Sequence, residues 1–277
     1  MEYTVKGRDI LVYEPDLDLA QTLDCGQAFR WKAIDKGYEQ TFQGRALNTD
    51  LTVSQTGKGQ FIFHDTAEEV FLGKWADYFD LSTDYSRLKA LFSQDRALKN
   101  ACGYAQGIRL LRQDSWECLV SFIISQNNNI PRIKGIIDRL CEHYGGLFPT
   151  AEQLAQETPD SLAYLRSGFR AKYICDAAER VASGKTDLSA IAAAPIDEAR
   201  AALKEIKGVG PKVAECVLLF GMYRTEAFPL DVWMKRVMAK YYPEGFPEFA
   251  AQYAGIAQQY LFHYIRTADP ELQTAGK

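Results

Sequence analysis

The sequence has no excess of positive charge. Over 277 residues the formal net charge is −4, and the sequence pI is near 5.5. A protein that holds nucleic acid by charge alone is usually basic, so the balance argues mildly against that mode. It leaves open a grip on phosphates through backbone N–H groups. Paired cysteines are also missing. The six present, Cys25, Cys102, Cys118, Cys141, Cys175 and Cys216, form no Cys-x-x-Cys pair and no zinc spacing, which points to reduced thiols in a cytoplasmic protein. None follows Cys216, which excludes a C-terminal iron–sulfur cluster. No run approaches the roughly 18 apolar residues of a membrane span; the longest, "CLVSFII", is interrupted. The start, "MEYTVKGRDI", has no basic region leading into an apolar run, so no signal peptide is expected. Internal repeats and low-complexity linkers are absent too. What is present, 47% hydrophobic and 25% charged residues, suffices for a real core in one large domain or two small ones.

The patterning predicts an α+β chain. "QAFRWKAI", "GYEQTFQGRALNTDLTVSQ" and "GQFIFHD" carry partly alternating aromatic and β-branched residues between turn formers. "DKG" at 35–37 and "TGKG" at 56–59 read as hairpin turns. An antiparallel sheet over about residues 1–65 follows from this. Beyond residue 66 the period changes to that of helices. "EEVFLGKWADYFD" and "YSRLKALFSQDRALKNACGYA" read as amphipathic. In "IPRIKGIIDRLCEHYGG", Ile133, Ile136, Ile137 and Leu140 share a face, and Gly145 and Gly146 end the helix. "TAEQLAQ" and "TPDSLAYL" open on threonine N-caps. In the last helix, "FAAQYAGIAQQYLFHYIR", the stripe Phe249, Tyr253, Ile256, Tyr260 and Tyr264 is expected to be buried. The expected division is an antiparallel sheet domain with flanking helices over 1–100, then a mostly helical region over 101–277.

"ALKEIKGVGPKVAECVLLF" reads as helix, Gly-Val-Gly-Pro hairpin, helix. Gly208 and Gly210 permit positive φ or close backbone approach. Pro211 suits the first turn, where a missing N–H costs nothing. The hairpin therefore presents free N–H groups at a helix N-terminus, an anion site that needs no basic surface. A plain helical connection with two glycines is the simpler alternative. A Walker phosphate loop is not, because Val213 follows Lys212 where Ser or Thr is required.

Lys212 stands at the positive end of that helix, where a cation is disfavoured. A lysine shielded there is more readily the uncharged, nucleophilic amine, whereas a solvated surface lysine is the ordinary alternative. Two neighbours in sequence shift the balance. In "FPLDVWMKRVM", Asp231 is placed to N-cap the next helix, one helix and one loop beyond Lys212. In "SQNNNIPR", three consecutive asparagines exceed what one cap needs, and Asn side chains read base edges well.

With these elements in place, the chain resembles the helix–hairpin–helix superfamily of DNA glycosylases. Its closer resemblance is to the bifunctional 8-oxoguanine DNA glycosylase/lyase family. The likeness runs almost the whole length, in the family's order: "CGQAFRW", "QDSWECLVSFIISQNNNIPRI", "GFRAKYI", "KGVGPKVAECVLLF", "PLDV" and "YAGIAQQYLF".

The resemblance implies roles. Lys212 matches the nucleophile that attacks the sugar C1′ and forms a Schiff base, and Asp231 its acidic partner. The backbone amides of Gly208, Gly210 and Val213 match the grip on a DNA phosphate. The carbonyl of Gly26 matches the acceptor for the N7–H that 8-oxoguanine has and guanine lacks. Cys216 and Phe262 match the residues that sandwich the flipped base, and Gln258 the one that bonds its Watson–Crick edge. Asn127, Arg132 and Arg170 match contacts to the orphaned cytosine, with Phe169 as an aromatic wedge. Alone, Gly26 would read as a turn glycine, Phe262 as core, and the two arginines as solvated surface. Gln258 and Phe262 lie four apart and share a helix face.

Two departures from the family pattern stand out. Trp233 occupies a histidine position near a phosphate and cannot take a charge. Phe169 replaces a tyrosine, losing its hydroxyl and keeping its shape. The resemblance implies double-stranded DNA containing 8-oxoguanine as partner, an active-site cleft between helical subdomains, and a monomer in a bacterial cytoplasm near the nucleoid. No cofactor or catalytic metal is required; a structural cation at the hairpin carbonyls is the one metal the family admits. A non-catalytic hairpin module that binds DNA, or a related glycosylase for other damaged bases, remains the alternative. Lys212 and Asp231 speak against both.

Overall fold

Alternation in the first 64 residues builds one antiparallel sheet. The computed structural model describes residues 1–268. Its strands are β1 Glu2–Lys6, β2 Asp9–Tyr13, β3 Trp31–Ala33, β4 Gln40–Ala46, β5 Thr49–Gly57 and β6 Gln60–His64, in the order β1-β2-β6-β5-β4-β3. Turns fall at both expected positions, between β3 and β4 and between β5 and β6. The hairpin of β1 and β2 carried no individual strand expectation, because its charged and apolar residues are mixed.

The sheet's inward positions, Ile10, Val12, Val53, Phe61 and Phe63, pack on Phe71, Trp75, Tyr78 and Phe79. Phe63 meets Phe71 and Phe79 at centroid distances of 5.1 and 5.5 Å, edge-on as ring quadrupoles prefer. The helical segment that supplies these aromatics runs through Glu68–Val70, Phe71–Trp75 and Ala76–Tyr78, and its middle widens to a π-type turn. The Tyr78 hydroxyl accepts from Trp31 Nε1 at 2.8 Å, so the buried indole is satisfied.

Two compact units emerge. One comprises Met1–Arg112 and Phe228–Lys277, the other Gln113–Ala227. The division expected at residue 100 falls instead inside the helix Arg96–Tyr104. Continuous helical hydrogen bonding carries that helix whole into the first unit. The described residues from Phe228 onward also return to the first unit, a long-range pairing that no local pattern encodes.

In the first unit, fully buried Arg109 donates to the carbonyls of Phe79, Asp80, Thr83 and Asp16, and its Nη1 lies 3.2 Å from the Glu14 carboxylate. A buried cation survives only with such complete pairing. The final stretch departs from expectation. It opens as a 3-10 turn, Glu248–Tyr253, before the α-helix Ala254–Thr267. Three residues per turn instead of 3.6 shifts the phase, so Phe249 is 38% exposed while Ile256 and Tyr260 are buried as expected. Tyr253 and Tyr264 are only half-buried.

The second unit is helical. Its longer helices are Ser115–Ser125, Ile130–His143, Ala171–Ala182 and Ile196–Lys204. Asp114, Asn129 and Thr150 cap helices with their side chains. Ile133, Ile136, Ile137 and Leu140 are buried as their spacing requires. Beyond His143, Gly145 and Gly146 adopt positive φ, and the Gly146 N–H closes the end on Cys141 O at 2.8 Å.

Candidate functional site

The Gly-Val-Gly-Pro segment turns between the helices Ile196–Lys204 and Pro211–Cys216. Its start is pinned by Asp176, whose carboxylate accepts the Lys207 N–H at 2.8 Å. Gly208 has φ +83°, and a Cβ on it would meet the Tyr173 ring at 2.4 Å. Gly210 differs: its φ is −90° and nothing lies within 4 Å of where a Cβ would be. Gly208 is thus demanded by the fold, whereas at Gly210 the open backbone is what glycine provides. Pro211 occupies the first helical position, and the first helical bond is Ala214 N to Gly210 O at 3.0 Å. Among the described residues the N–H groups of Gly208, Gly210 and Val213 find no intramolecular acceptor. Such unspent donors at a helix N-terminus are an anion site.

Lys212 follows Pro211 in the first turn of this helix. It is half-buried, and its Nζ lies 5.2 Å from the centroid of the Phe122 ring. Within its own unit no carboxylate pairs with it among the described residues. Cys216 is four residues on, on the same helix, and is buried.

Asn127, Arg132, Phe169 and Arg170 come together in the second unit. Asn127 adopts φ +46°. Arg170 is 3% exposed; its guanidinium donates to Gln126 O, to Asn127 O at 3.0 Å and to Ser167 O at 3.0 Å. It also lies 4.5 Å from the Phe169 ring centroid. Burial first, then the Arg132 charge, lowers the pKa of Arg170. Arg132 reaches Arg166 O at 3.4 Å, and Phe169 stands 47% exposed. In this state Arg170 braces the asparagine loop, a role the sequence did not disclose.

The first unit gathers another group. Gly26 has φ +95° and sits between two anchored neighbours. Gln27 is buried, donating to Thr22 O and Arg109 O at 2.8 Å each and accepting from Leu111 N at 3.0 Å. The Cys25 thiol contacts Gln259 Oε1 at 3.8 Å, and burial pushes its pKa up to about 11. Gln259 Nε2 donates to Gln258 Oε1 at 2.6 Å, and Gln258 Nε2 to Pro229 O at 3.4 Å. A polar chain therefore runs from the Gly26 loop through Gln259 and Gln258 to the segment that leads into Asp231. Gln259 was missed as a candidate; the repeated glutamine beside Gln258 was its only signal.

Asp231 caps the helix Val232–Tyr241 as expected, its Oδ1 accepting from Met234 N at 2.8 Å. One carboxylate oxygen is thereby fixed by the helix. Two residues on, Trp233 carries the Arg236 guanidinium 5.0 Å from its ring centroid. Phe262 is half-buried, with Arg266 likewise 5.0 Å from its ring.

Comparison with known proteins supports a family assignment. The model of the 8-oxoguanine DNA glycosylase N-terminal domain matches residues 9–119. That of the HhH-GPD superfamily of base excision DNA repair proteins matches residues 120–245. The 8-oxoguanine glycosylase/lyase of Clostridium acetobutylicum, in complex with double-stranded DNA containing cytosine opposite 8-oxoG, superposes with TM-score 0.88 at 35% identity, over 96% of this chain and 98% of that one. MBOgg1, in complex with a low-affinity DNA ligand, gives 0.87 at 39% identity over the full length of both. The N-glycosylase/DNA lyase of Saccharomyces cerevisiae is 31% identical over 84% of this chain and 70% of its own length. The chain belongs to the 8-oxoguanine DNA glycosylase family of the HhH-GPD superfamily.

Proposed function

We propose that the protein excises 8-oxoguanine opposite cytosine from double-stranded DNA and then cleaves the strand at the resulting abasic site. Lys212 carries this assignment: its amine stands in the first turn after a hairpin in which, among the described residues, the amides of Gly208, Gly210 and Val213 have no acceptor.

The damaged nucleotide leaves the stack at a cost of a few kcal/mol. The N–H groups of Gly208, Gly210 and Val213 hold its backbone phosphate. Asn127 and Phe169 fill the vacated space, and Arg132 and Arg170 offer donors to the O2 and N3 acceptors of cytosine. For Arg170 that means exchanging backbone carbonyls for a base edge. The Gly26 carbonyl accepts the N7–H of 8-oxoguanine, where guanine presents a clashing acceptor. Gln258 bonds the Watson–Crick edge, and Phe262 and Cys216 enclose the ring.

Asp231 supports positive charge on the sugar as the glycosidic bond breaks. The Lys212 amine forms a bond to C1′, the base departs with the glycosidic electron pair, and ring opening yields an iminium. Loss of a C2′ proton then expels the 3′ phosphate. Sugar C1′ is the electrophile in the first step and the iminium is the electron sink in the elimination, so neither step draws on a metal. A structural cation near the hairpin fits only a main-chain cradle, because among the described residues no cluster of three or more His, Cys, Asp or Glu could ligate one. No helix among the described residues is long and apolar enough to cross a membrane. The setting proposed for it is a monomer working on nucleoid DNA in a bacterial cytoplasm.

The test is incision of duplexes carrying 8-oxoguanine opposite each of the four bases, with and without borohydride. Incision is expected with cytosine opposite, with covalent capture by borohydride. Equal incision opposite all four bases would overturn the cytosine assignment.

A further inference from the structure

Helix Ser115–Ser125 crosses the segment that carries Lys212 at close range. Ser115 Oγ donates to Gly221 O at 2.6 Å, and the Cys118 thiol contacts Cys216 O at 3.9 Å. A Cβ on Gly221 would lie 2.9 Å from Cys118 Cβ, so no larger residue fits there without displacement. One turn beyond Cys118, the Phe122 ring stacks on Phe220, with centroids 5.2 Å apart and planes at 11°. Phe220 belongs to the π-type turn Val217–Gly221 that continues the lysine's own helix. The Lys212 Nζ lies over the same Phe122 ring, 5.2 Å from its centroid, within the range of a cation–π contact. Phe122 is therefore clamped to the segment that bears the lysine and touches the lysine's amine.

We infer that Phe122 positions the Lys212 amine for attack on the sugar by holding its nitrogen over the ring face. The inference rests on Lys212 being the nucleophile. No other charged group in this unit competes for the amine. Glu215 on the same helix is paired with Arg200 at 2.6 Å. Asp114 and Glu117, at the start of the Phe122 helix, form no ion pair with Lys212. The Cys118 thiol, buried between the two helices, is held protonated by burial, well above the ordinary thiol range. The ring is thus the group that fixes where the amine sits. Without it the amine samples more positions, so the maximal rate of imine formation falls. Positive charge develops on the nitrogen as its bond to C1′ forms, and the ring face stabilises that charge as well. A residue that merely packed would not link the rate to the electron density of its ring.

Graded fluorination tests this, because it weakens the ring quadrupole at nearly constant shape. Phe122 is replaced in the full chain by 4-fluoro-, 3,5-difluoro- and 3,4,5-trifluorophenylalanine. The single-turnover rate of borohydride trapping on abasic-site duplex is then measured against pH. The maximal rate is expected to fall stepwise with fluorine number, by about tenfold across the series, the size of a partly desolvated cation–π contact. Affinity for a duplex bearing a tetrahydrofuran abasic analogue should stay unchanged. Phe122→Leu should lose at least as much as the trifluoro chain, and Phe122→Tyr should restore the rate. If Phe122→Leu does not fold, the fluorinated chains decide alone. Wild-type rates across the fluorinated series would overturn the inference. Lys212→Gln separates the two levels: if it abolishes trapping while the fluorinated chains behave as wild type, only the role of Phe122 falls; if it is still trapped, the nucleophile assignment falls first.

Discussion

Gly208 lies so close to Tyr173 that a Cβ on it would come within 2.4 Å of the ring, and its φ of +83° already suits only glycine comfortably. The hairpin proposed to hold phosphate is thus shaped by contact with the helix Ala171–Ala182. Gly208→Ala should cost about 1–3 kcal/mol of stability from backbone strain alone, with weaker binding to undamaged duplex. Tyr173→Ala in the same chain should restore only part of it, since the φ penalty remains. Urea unfolding and DNA titration of the two variants check this; an unchanged midpoint for Gly208→Ala would contradict it.

Asp231 has two separable duties. Its Oδ1 caps a helix at 2.8 Å from Met234 N, and its charge is assigned to the sugar. Asparagine caps as well as aspartate, so Asp231→Asn should leave thermal stability unchanged. Asp231→Ala should lose about 1 kcal/mol. Both should slow excision by roughly a hundredfold or more, as removal of a preorganised electrostatic group does. Single-turnover excision and calorimetry on both variants separate cap from charge.

Arg170 anchors the asparagine loop. Removing it takes the charged donor from the carbonyls of Gln126, Asn127 and Ser167, although Ser167 O keeps the Arg170 backbone N–H at 3.4 Å, and hydrogen bonds to a charged group contribute about 1.5–3 kcal/mol. Arg170→Ala should therefore lower stability as well as preference for cytosine. Lysine has no planar fork to serve three carbonyls, so Arg170→Lys should recover little. Full stability of either variant would mean that the brace is not load-sharing in solution.

His64 and His263 set a pH dependence. Burial first, then Lys36 for His64 and Arg266 for His263, lowers each pKa below 6.5. The folded chain then binds fewer protons than the unfolded chain in this window, so stability is fully present above about pH 6.5 and declines as pH falls below it. His64→Gln should flatten part of this slope while keeping a partner for Ser54, whose hydroxyl lies 2.8 Å from His64 Nε2. Denaturation midpoints between about pH 5 and pH 8 provide the measurement.

What the sequence disclosed was local. The hairpin turns, the caps at Asp231, Asn129 and Thr150, and the Gly208–Pro211 reversal each follow from chemistry within a few residues. The phase of the last helix did not, because a 3-10 first turn has no composition of its own and rotated Phe249 outward. Gln259 and Phe122 escaped notice for different reasons. Gln259 matters through a partner more than two hundred residues away, Cys25. Phe122 sits in a run of core residues where every aromatic reads as packing. The burial of Arg170 was equally hidden, since an arginine in a turn reads as solvated until its carbonyl partners are seen.

The most direct measurement is borohydride trapping on a duplex containing 8-oxoguanine opposite cytosine, with the wild-type chain and Lys212→Gln in parallel. The wild-type chain should be captured covalently on DNA while Lys212→Gln, folded and still bound to duplex, gives no adduct. An adduct of undiminished yield from Lys212→Gln would contradict the assignment of Lys212 as the nucleophile.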